Sequence, residues 1–239
     1  MFSFLYEIFY RPIFNGLYVV LFFIYDNLVL YDIGIAIIIL TLAVRIVLYP
    51  LFHKGMYHQS IMQKLQPKIK EIQEKHKNDT QKQSEALLDL YREHKVNPFS
   101  GFLFLLLQLP IFIAMYGLFR GLGDGALVAL YPSIALRDGV NFIFLGLINM
   151  RERSIILIIV AVILQYFQGR YAAAKAAEDG KSKKELSTAE QVSRNMTYMM
   201  PGITLVLLWG FPSAISLYWA STTAFSILQQ YIINRALSK

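Results

Sequence analysis

The sequence predicts an all-α integral membrane protein: five transmembrane helices, a cytoplasmic helical hairpin and an N-terminal interfacial helix. Three observations carry this. First, 56% of the 239 residues are hydrophobic and the mean hydropathy is +0.44. That is too apolar for an ordinary soluble domain, so lipid is the solvent for much of the surface. Second, apolar runs of membrane-crossing size recur and are separated by polar stretches. Third, 17 of the 23 Lys/Arg fall in residues 53–96, 169–195 and the C-terminal tail. Five spans put these three segments on one side. The positive-inside rule makes that side the cytoplasm and leaves the N-terminus outside. Arg151 and Arg153 run against the rule but are outweighed.

In chain order, residues 1–32 lack a basic n-region and a small-residue cleavage site, so they do not read as a signal peptide. Only Tyr31-Asp32 would separate a span at Ile13–Leu30 from the next one, so an extracytoplasmic interfacial amphipathic helix is expected instead. Residues 33–52 form the first span, with Pro50 near its end. Residues 53–96 hold nine Lys/Arg, six Asp/Glu and all four histidines. Ile61, Leu65, Ile69 and Ile72, then Leu87, Leu88 and Tyr91, repeat at helical spacing. A hairpin is expected with arms at about 55–77 and 81–95, kinked at Pro67 and capped by Thr80-Gln81-Lys82-Gln83. It reads as a satellite, so that removing 56–94 would spare the membrane core.

Asn97-Pro98 opens the second span, 97–120, which contains Gln108 and Pro110. Gly117 and Gly121 suit close helix packing. Residues 121–153 read as an extracytoplasmic connection with an apolar, interfacial Val140–Met150. The third span is 154–169, followed by a polar cytoplasmic loop, 170–195, with Lys181-Ser182-Lys183-Lys184. Gly210-Phe211-Pro212-Ser213 divides the last apolar stretch into spans at 196–211 and 213–234, leaving a cytoplasmic tail at 235–239. Fifteen helical residues rise only about 22 Å, so the third span, like the apolar part of the fourth, is short enough to thin a bilayer unless its ends extend.

The first span poses the main physical problem. From Ile33 to Phe52 its ionisable groups are Arg45 and a tyrosine. A guanidinium keeps its proton there, at a cost of at least roughly 2.5–3.5 kcal/mol near the bilayer centre. Snorkelling past Phe52 is one solution. Thr41, Arg45 and Tyr49, spaced i, i+4, i+8 as one polar stripe, favour the other: a hydrated cavity. Gln108, Gln165, Gln168, Thr204, Ser216, Trp219, Ser221, Thr222 and Thr223 also lie at membrane depth. Each alone suits helix–helix hydrogen bonding. Together with Arg45, and with no carboxylate in any span, they suggest a wet cationic cavity for carboxylates or backbone carbonyls of a guest.

Catalytic signatures are missing from the sequence. It has no G-x-x-x-x-G-K-[ST], no H-E-x-x-H and no G-x-S-x-G. Ser213, Ser216, Ser221 and Ser226 have no histidine at membrane depth. There are no cysteines, which excludes disulfides and thiolate metal sites. No cofactor is expected. The net charge of +7 reads as membrane orientation and not as sequence-specific nucleic-acid binding.

Several linked motifs resemble one family. Leu42-Ala43-Val44-Arg45-Ile46-Val47-Leu48-Tyr49-Pro50-Leu51 is similar to the first core helix of the YidC membrane protein insertases. Met62-Gln63-Lys64-Leu65-Gln66-Pro67-Lys68-Ile69-Lys70 resembles their cytoplasmic hairpin. Tyr91-Arg92-Glu93-His94-Lys95-Val96-Asn97-Pro98 with Leu107-Gln108-Leu109-Pro110-Ile111-Phe112 resembles their second core helix. Phe211-Pro212-Ser213-Ala214-Ile215-Ser216-Leu217-Tyr218-Trp219 resembles the start of their last. The resemblance implies five transmembrane helices around a hydrophilic groove open to cytoplasm and lipid. It maps the groove arginine to Arg45, the groove glutamine to Gln168 or Gln165, and the last-helix tryptophan to Trp219. With Thr41, Gln108, Ser216 and Thr222 these are the expected substrate-groove residues. The implied function is non-enzymatic insertion of small membrane proteins into the cell membrane, alone or with the Sec translocon. The expected partners are nascent membrane proteins, lipid and, beside them, the Sec translocon and the ribosome. These 239 residues depart from the family by carrying no large extracytoplasmic domain, no lipoprotein cysteine and only a short tail. A competing reading is a small-solute transporter or channel with Arg45 as an anion site, but the halves show no repeat. A structural membrane subunit would have no use for an intramembrane arginine.

Overall fold

The computed structural model describes residues 10–29, 31–97, 100–124, 140–173 and 188–237. The expected loop around Lys181-Ser182-Lys183-Lys184, the glycine-containing stretch 125–139 and the Pro98 start of the second span lie outside the described residues. Within them the chain is almost wholly helical. No single described helix is long and apolar enough to cross a membrane.

Helix α1 (Arg11–Asn27) carries Pro12 in its first turn, where the proline's preset φ suits a helix start. Phe14, Leu17, Tyr18, Leu21 and Tyr25 share its buried face, which packs against the next helix and against α6, described below. α1 is therefore part of the main core and not an appended element. On α6, a Cβ at Gly117 would collide with the Tyr10 hydroxyl and touch Phe14. That glycine admits the aromatic start of α1.

Helix α2 (Ile33–Val47) is capped by Asp32, whose Oδ1 accepts from Ile35 N at 3.0 Å. The first span expected at 33–52, with Pro50 near its end, is not one straight helix. The chain breaks at Leu48 and bends by 72° into α3 (Tyr49–Lys64). Pro50 explains the break, because it has no N–H to donate and its ring opposes the carbonyl four residues back. The predicted stripe of Thr41, Arg45 and Tyr49 is interrupted with it. Tyr49 opens α3 and stacks on His53 at 5.3 Å.

The hairpin continues as α4 (Gln66–Lys75) and α5 (Thr80–Glu93). Pro67 sits in the first turn of α4, so the expected kink is a break between two helices. Thr80 is not the cap. Asp79 is, accepting from Lys82 N at 3.0 Å, because a carboxylate one residue earlier supplies the same acceptor with a charge. Leu65, Ile69, Leu90 and Val96 form their own small cluster. The satellite nevertheless begins later than residue 56. α3 packs on α6 and on the last helix, and Met56 and Ser60 are buried.

Helix α6 (Ser100–Asp124) carries Pro110 internally. A two-residue strand pair follows, β1 (Ile143–Phe144) antiparallel to β2 (Ile148–Asn149). It is too short to leave a periodic signal in the sequence. Asp32 Oδ2 accepts from Leu145 N at 2.8 Å, which holds Leu145 in a left-handed conformation at φ 51°. Gly34 lets Phe144 lie directly on α2, where any Cβ would collide with its ring.

Three helices complete the body: α7 (Ile155–Ala173), α8 (Thr188–Trp209) and α9 (Ser213–Ala236). α7 packs on both α8 and α9, and α9 packs on α2, α3 and α6. The first donors of α9 are satisfied by the connection. Ser213 N donates to Glu152 O at 2.7 Å and Ala214 N to Met150 O at 3.1 Å. α7 is longer than the expected 154–169. Its apolar part, Ile155–Tyr171, rises about 25 Å, and that of α8, Met199–Trp209, only about 16 Å.

Candidate functional site

Arg45 lies in the last turn of α2 with only 3% of its surface exposed. The bend at Leu48 places the buried Phe52 ring under its guanidinium, 4.2 Å from centroid to Cζ. Such a cation–π contact stabilises by roughly 2 kcal/mol when desolvated, far less than hydration supplied. Arg45 Nη1 has no hydrogen-bond partner among the described residues. No described carboxylate pairs with it. The side chain is thus enclosed by protein, which removes snorkelling as its solution.

Tyr218, buried on α9, is the group that the site converges on. Its hydroxyl accepts from Gln108 Nε2 at 2.7 Å and lies within electrostatic reach of Arg45. Thr222 stands one turn along beside it, yet Thr222 Oγ1 makes no hydrogen bond of good geometry. Gln108 Oε1 and Ser216 Oγ are also buried without a partner. Native interiors pair nearly all such atoms. Gln108 Oε1 and Thr222 Oγ1 are thus orphaned at Tyr218, which lies within electrostatic reach of a cation that no described carboxylate pairs.

The other expected residues sort differently. Thr41 is buried but donates to Ile37 O at 2.7 Å in its own helix. Gln165 Oε1 accepts from Trp219 Nε1 at 3.2 Å, and the Trp219 ring meets Phe112 edge-on at 5.7 Å. This second pair clasps α7, α9 and α6. Gln168 is half-buried and makes no side-chain hydrogen bond among the described residues. The structure therefore gathers Arg45, Gln108 and Thr222 at Tyr218, joins Gln165 to Trp219 separately, and leaves Gln168 apart.

Sequence reasoning missed Tyr218 as a site residue and missed a polar line running down α9. Gln229 is 1% exposed with both ends of its amide unpartnered. Gln230 Nε2 donates to Ser60 Oγ at 2.7 Å, and Asn234 Nδ2 to Tyr171 O at 3.1 Å. These bonds tie α9 to α3 and α7 at the hairpin base. The adjacent amides at 229 and 230, inside an otherwise apolar stretch, were the available signal.

A family model described as 60Kd inner membrane protein matches residues 23–239. The chain belongs to the 60Kd inner membrane protein family. Among its curated relatives is the membrane protein insertase YidC of Geobacter sulfurreducens, 32% identical over 205 residues, covering 86% of this chain and 34% of that protein. The protein of the same name from Helicobacter pylori is 31% identical over 204 residues, covering 85% of this chain and 33% of the relative. The one from Francisella philomiragia subsp. philomiragia is 31% identical over 202 residues, covering 84% and 32%. The chain thus spans about a third of the length of these relatives. Membership in the 60Kd family implies an inner-membrane location.

Proposed function

We propose that this chain inserts small membrane proteins into the bilayer; its relatives are named membrane protein insertases. The observation that carries the reading is Arg45: buried, without a carboxylate among the described residues, and within reach of Tyr218, where polar atoms of Gln108 and Thr222 are orphaned. A guest must bring a hydrophilic tail partway into the membrane before that tail can leave on the far side. Polar groups and water around Arg45 lower the desolvation cost, and the fixed cation attracts acidic groups of the tail. The short apolar lengths of α7 and α8 thin the bilayer and shorten the remaining path. The guest's apolar segment then passes sideways into lipid, driven by its own burial.

In this scheme five spans are built from α2 with the start of α3, α6, α7, α8 and α9, with the hairpin in the cytoplasm. No nucleotide, metal or covalent chemistry is needed. Nascent membrane proteins are the substrates, with the Sec translocon and the ribosome as further partners. The anion-site reading finds no support among the relatives. The test is insertion into liposomes of matched guests that differ only in tail charge. Arg45→Lys should keep most activity. Arg45→Ala should slow acidic-tailed guests about tenfold more than neutral ones, the size of a single lost charge interaction of ~1.4 kcal/mol. Equal loss for both guests would remove the electrostatic role.

A further inference from the structure

A second polar site lies at the opposite end of the bundle from the hairpin. α9 runs from Ser213, pinned to Glu152, down to Gln230 and Leu237, which are bonded to Ser60 and Lys64 at the hairpin base. The far end therefore carries the turn between α8 and α9 and the connection before α7. There a cleft of about 560 Å³ is lined by Tyr116, Arg120, Arg151, Arg153, Trp209 and Phe211, among others. The Arg153 guanidinium lies 4.3 Å over the Trp209 ring, and that of Arg151 lies 4.5 Å over Phe142. Glu152, between the two arginines, turns its carboxylate to Asn149 Nδ2 at 2.8 Å. Among the described residues neither Arg120 nor Arg153 meets a carboxylate.

We infer that this cleft binds an anionic phospholipid, its phosphate between Arg120 and Arg153, in the leaflet away from the hairpin. The inference rests on the membrane location but not on insertase activity. Three features select a lipid. Arginine presents a planar fork that matches phosphate oxygens. Trp209, 49% exposed beside the cleft, has the amphipathic ring that settles at headgroup depth. Directly along the two helices that leave the cleft, Ile156 is 66% exposed and Val206 77%, which gives acyl chains an apolar wall continuous with the cationic mouth. An isolated phosphate would use the arginines but not this wall. The site also gives Arg153, one of the two arginines that oppose the positive-inside pattern, a lipid to hold.

The chain's two tryptophans, Trp209 and Trp219, provide the experiment. In the full chain carrying Trp219→Phe, Trp209 is the sole reporter. The protein is reconstituted in phosphatidylcholine vesicles containing a minority of dibrominated phosphatidylglycerol or, separately, dibrominated phosphatidylcholine. Brominated phosphatidylglycerol should quench Trp209 with an apparent enrichment of about thirtyfold, the size that two basic groups give at an anionic lipid. R120Q with R153Q should abolish the enrichment, and R120K with R153K should retain part of it in a protein of unchanged thermal midpoint. Equal quenching by the two lipids overturns the inference. So does an enrichment that survives R120Q/R153Q. Reversal by millimolar glycerol phosphate would show a free-phosphate site, and reversal by an acidic peptide would show a guest site; either result also overturns it.

Discussion

Among single residues, Tyr218 has the most consequential position. Its hydroxyl satisfies Gln108 and faces Arg45. Tyr218→Phe keeps the ring's volume but strands the Gln108 amide, whose Oε1 already lacks a partner. We expect destabilisation of about 1–3 kcal/mol, read as a lowered thermal midpoint in detergent. A midpoint equal to the parent would mean that Gln108 finds another acceptor at once. Arg45 was legible in the sequence because a guanidinium in an aliphatic helix is chemically conspicuous. Tyr218 was not. A tyrosine among apolar residues reads as packing, and only the crossing of α6 and α9 brings it to Gln108. Gln168 shows the converse: a glutamine at membrane depth carries no information about which way it faces. Gln165, one turn earlier on α7, is the one that Trp219 reaches.

The helices follow the apolar runs closely, and their ends are where local chemistry outweighs pattern. Asp79 and Thr80 are both good caps, so sequence alone does not choose between them. The charged one wins, with Lys82 Nζ also 3.1 Å from its Oδ2. Hydrogen bonds from Lys82 hold the Asp79 carboxyl below its ordinary value of 3.8. A depressed folded value means that the cap stabilises α5 fully above pH 3.8 and loses its effect as pH falls through the folded value. The Lys82 amide resonance should report that loss, and Asp79→Asn should remove its pH dependence while keeping the cap. Asp32 does more than Asp79, since it caps α2 and also holds the Leu145 turn. Asp32→Ala should cost about 1–2 kcal/mol; a loss no larger than at an ordinary exposed site would show the turn to be held by Phe144 alone. The hairpin divides at Leu65. Replacing 66–93 by a short linker should leave a folded body, whereas replacing 56–94 also removes Ser60 and Met56 and should unfold it. Thermal unfolding of the two deletions separates these outcomes.

For the whole molecule, the fold class follows from composition and spacing, while the arrangement of helices around Arg45 does not. Periodicity identifies a buried face without naming its partner. The 72° turn at Leu48 shows this best: Pro50 announces a defect, but its size and direction depend on what α3 packs against. Orientation is the remaining property at this scale. With the hairpin in the cytoplasm, a cysteine at Ser84 should label only from that side and one at Asp124 only from outside. Labelling of Ser84 from outside in intact cells would reverse the scheme.

The Leu48 turn also has a mechanical meaning. Phe52, under the guanidinium, and Lys64, at the hairpin base, stand on one helix beyond the same hinge. They lie about 6 Å and about 24 Å of helical rise from it. A pivot at that hinge would make α3 a lever with unequal arms. A displacement at the hairpin base would then reach the aromatic floor of Arg45 at about a quarter of its amplitude. Spin labels at Lys64 and Leu51 should show it: with a folded domain fused at Asn78, the shift at Lys64 should exceed that at Leu51 several-fold, and equal shifts would mean that the helix translates instead of pivoting.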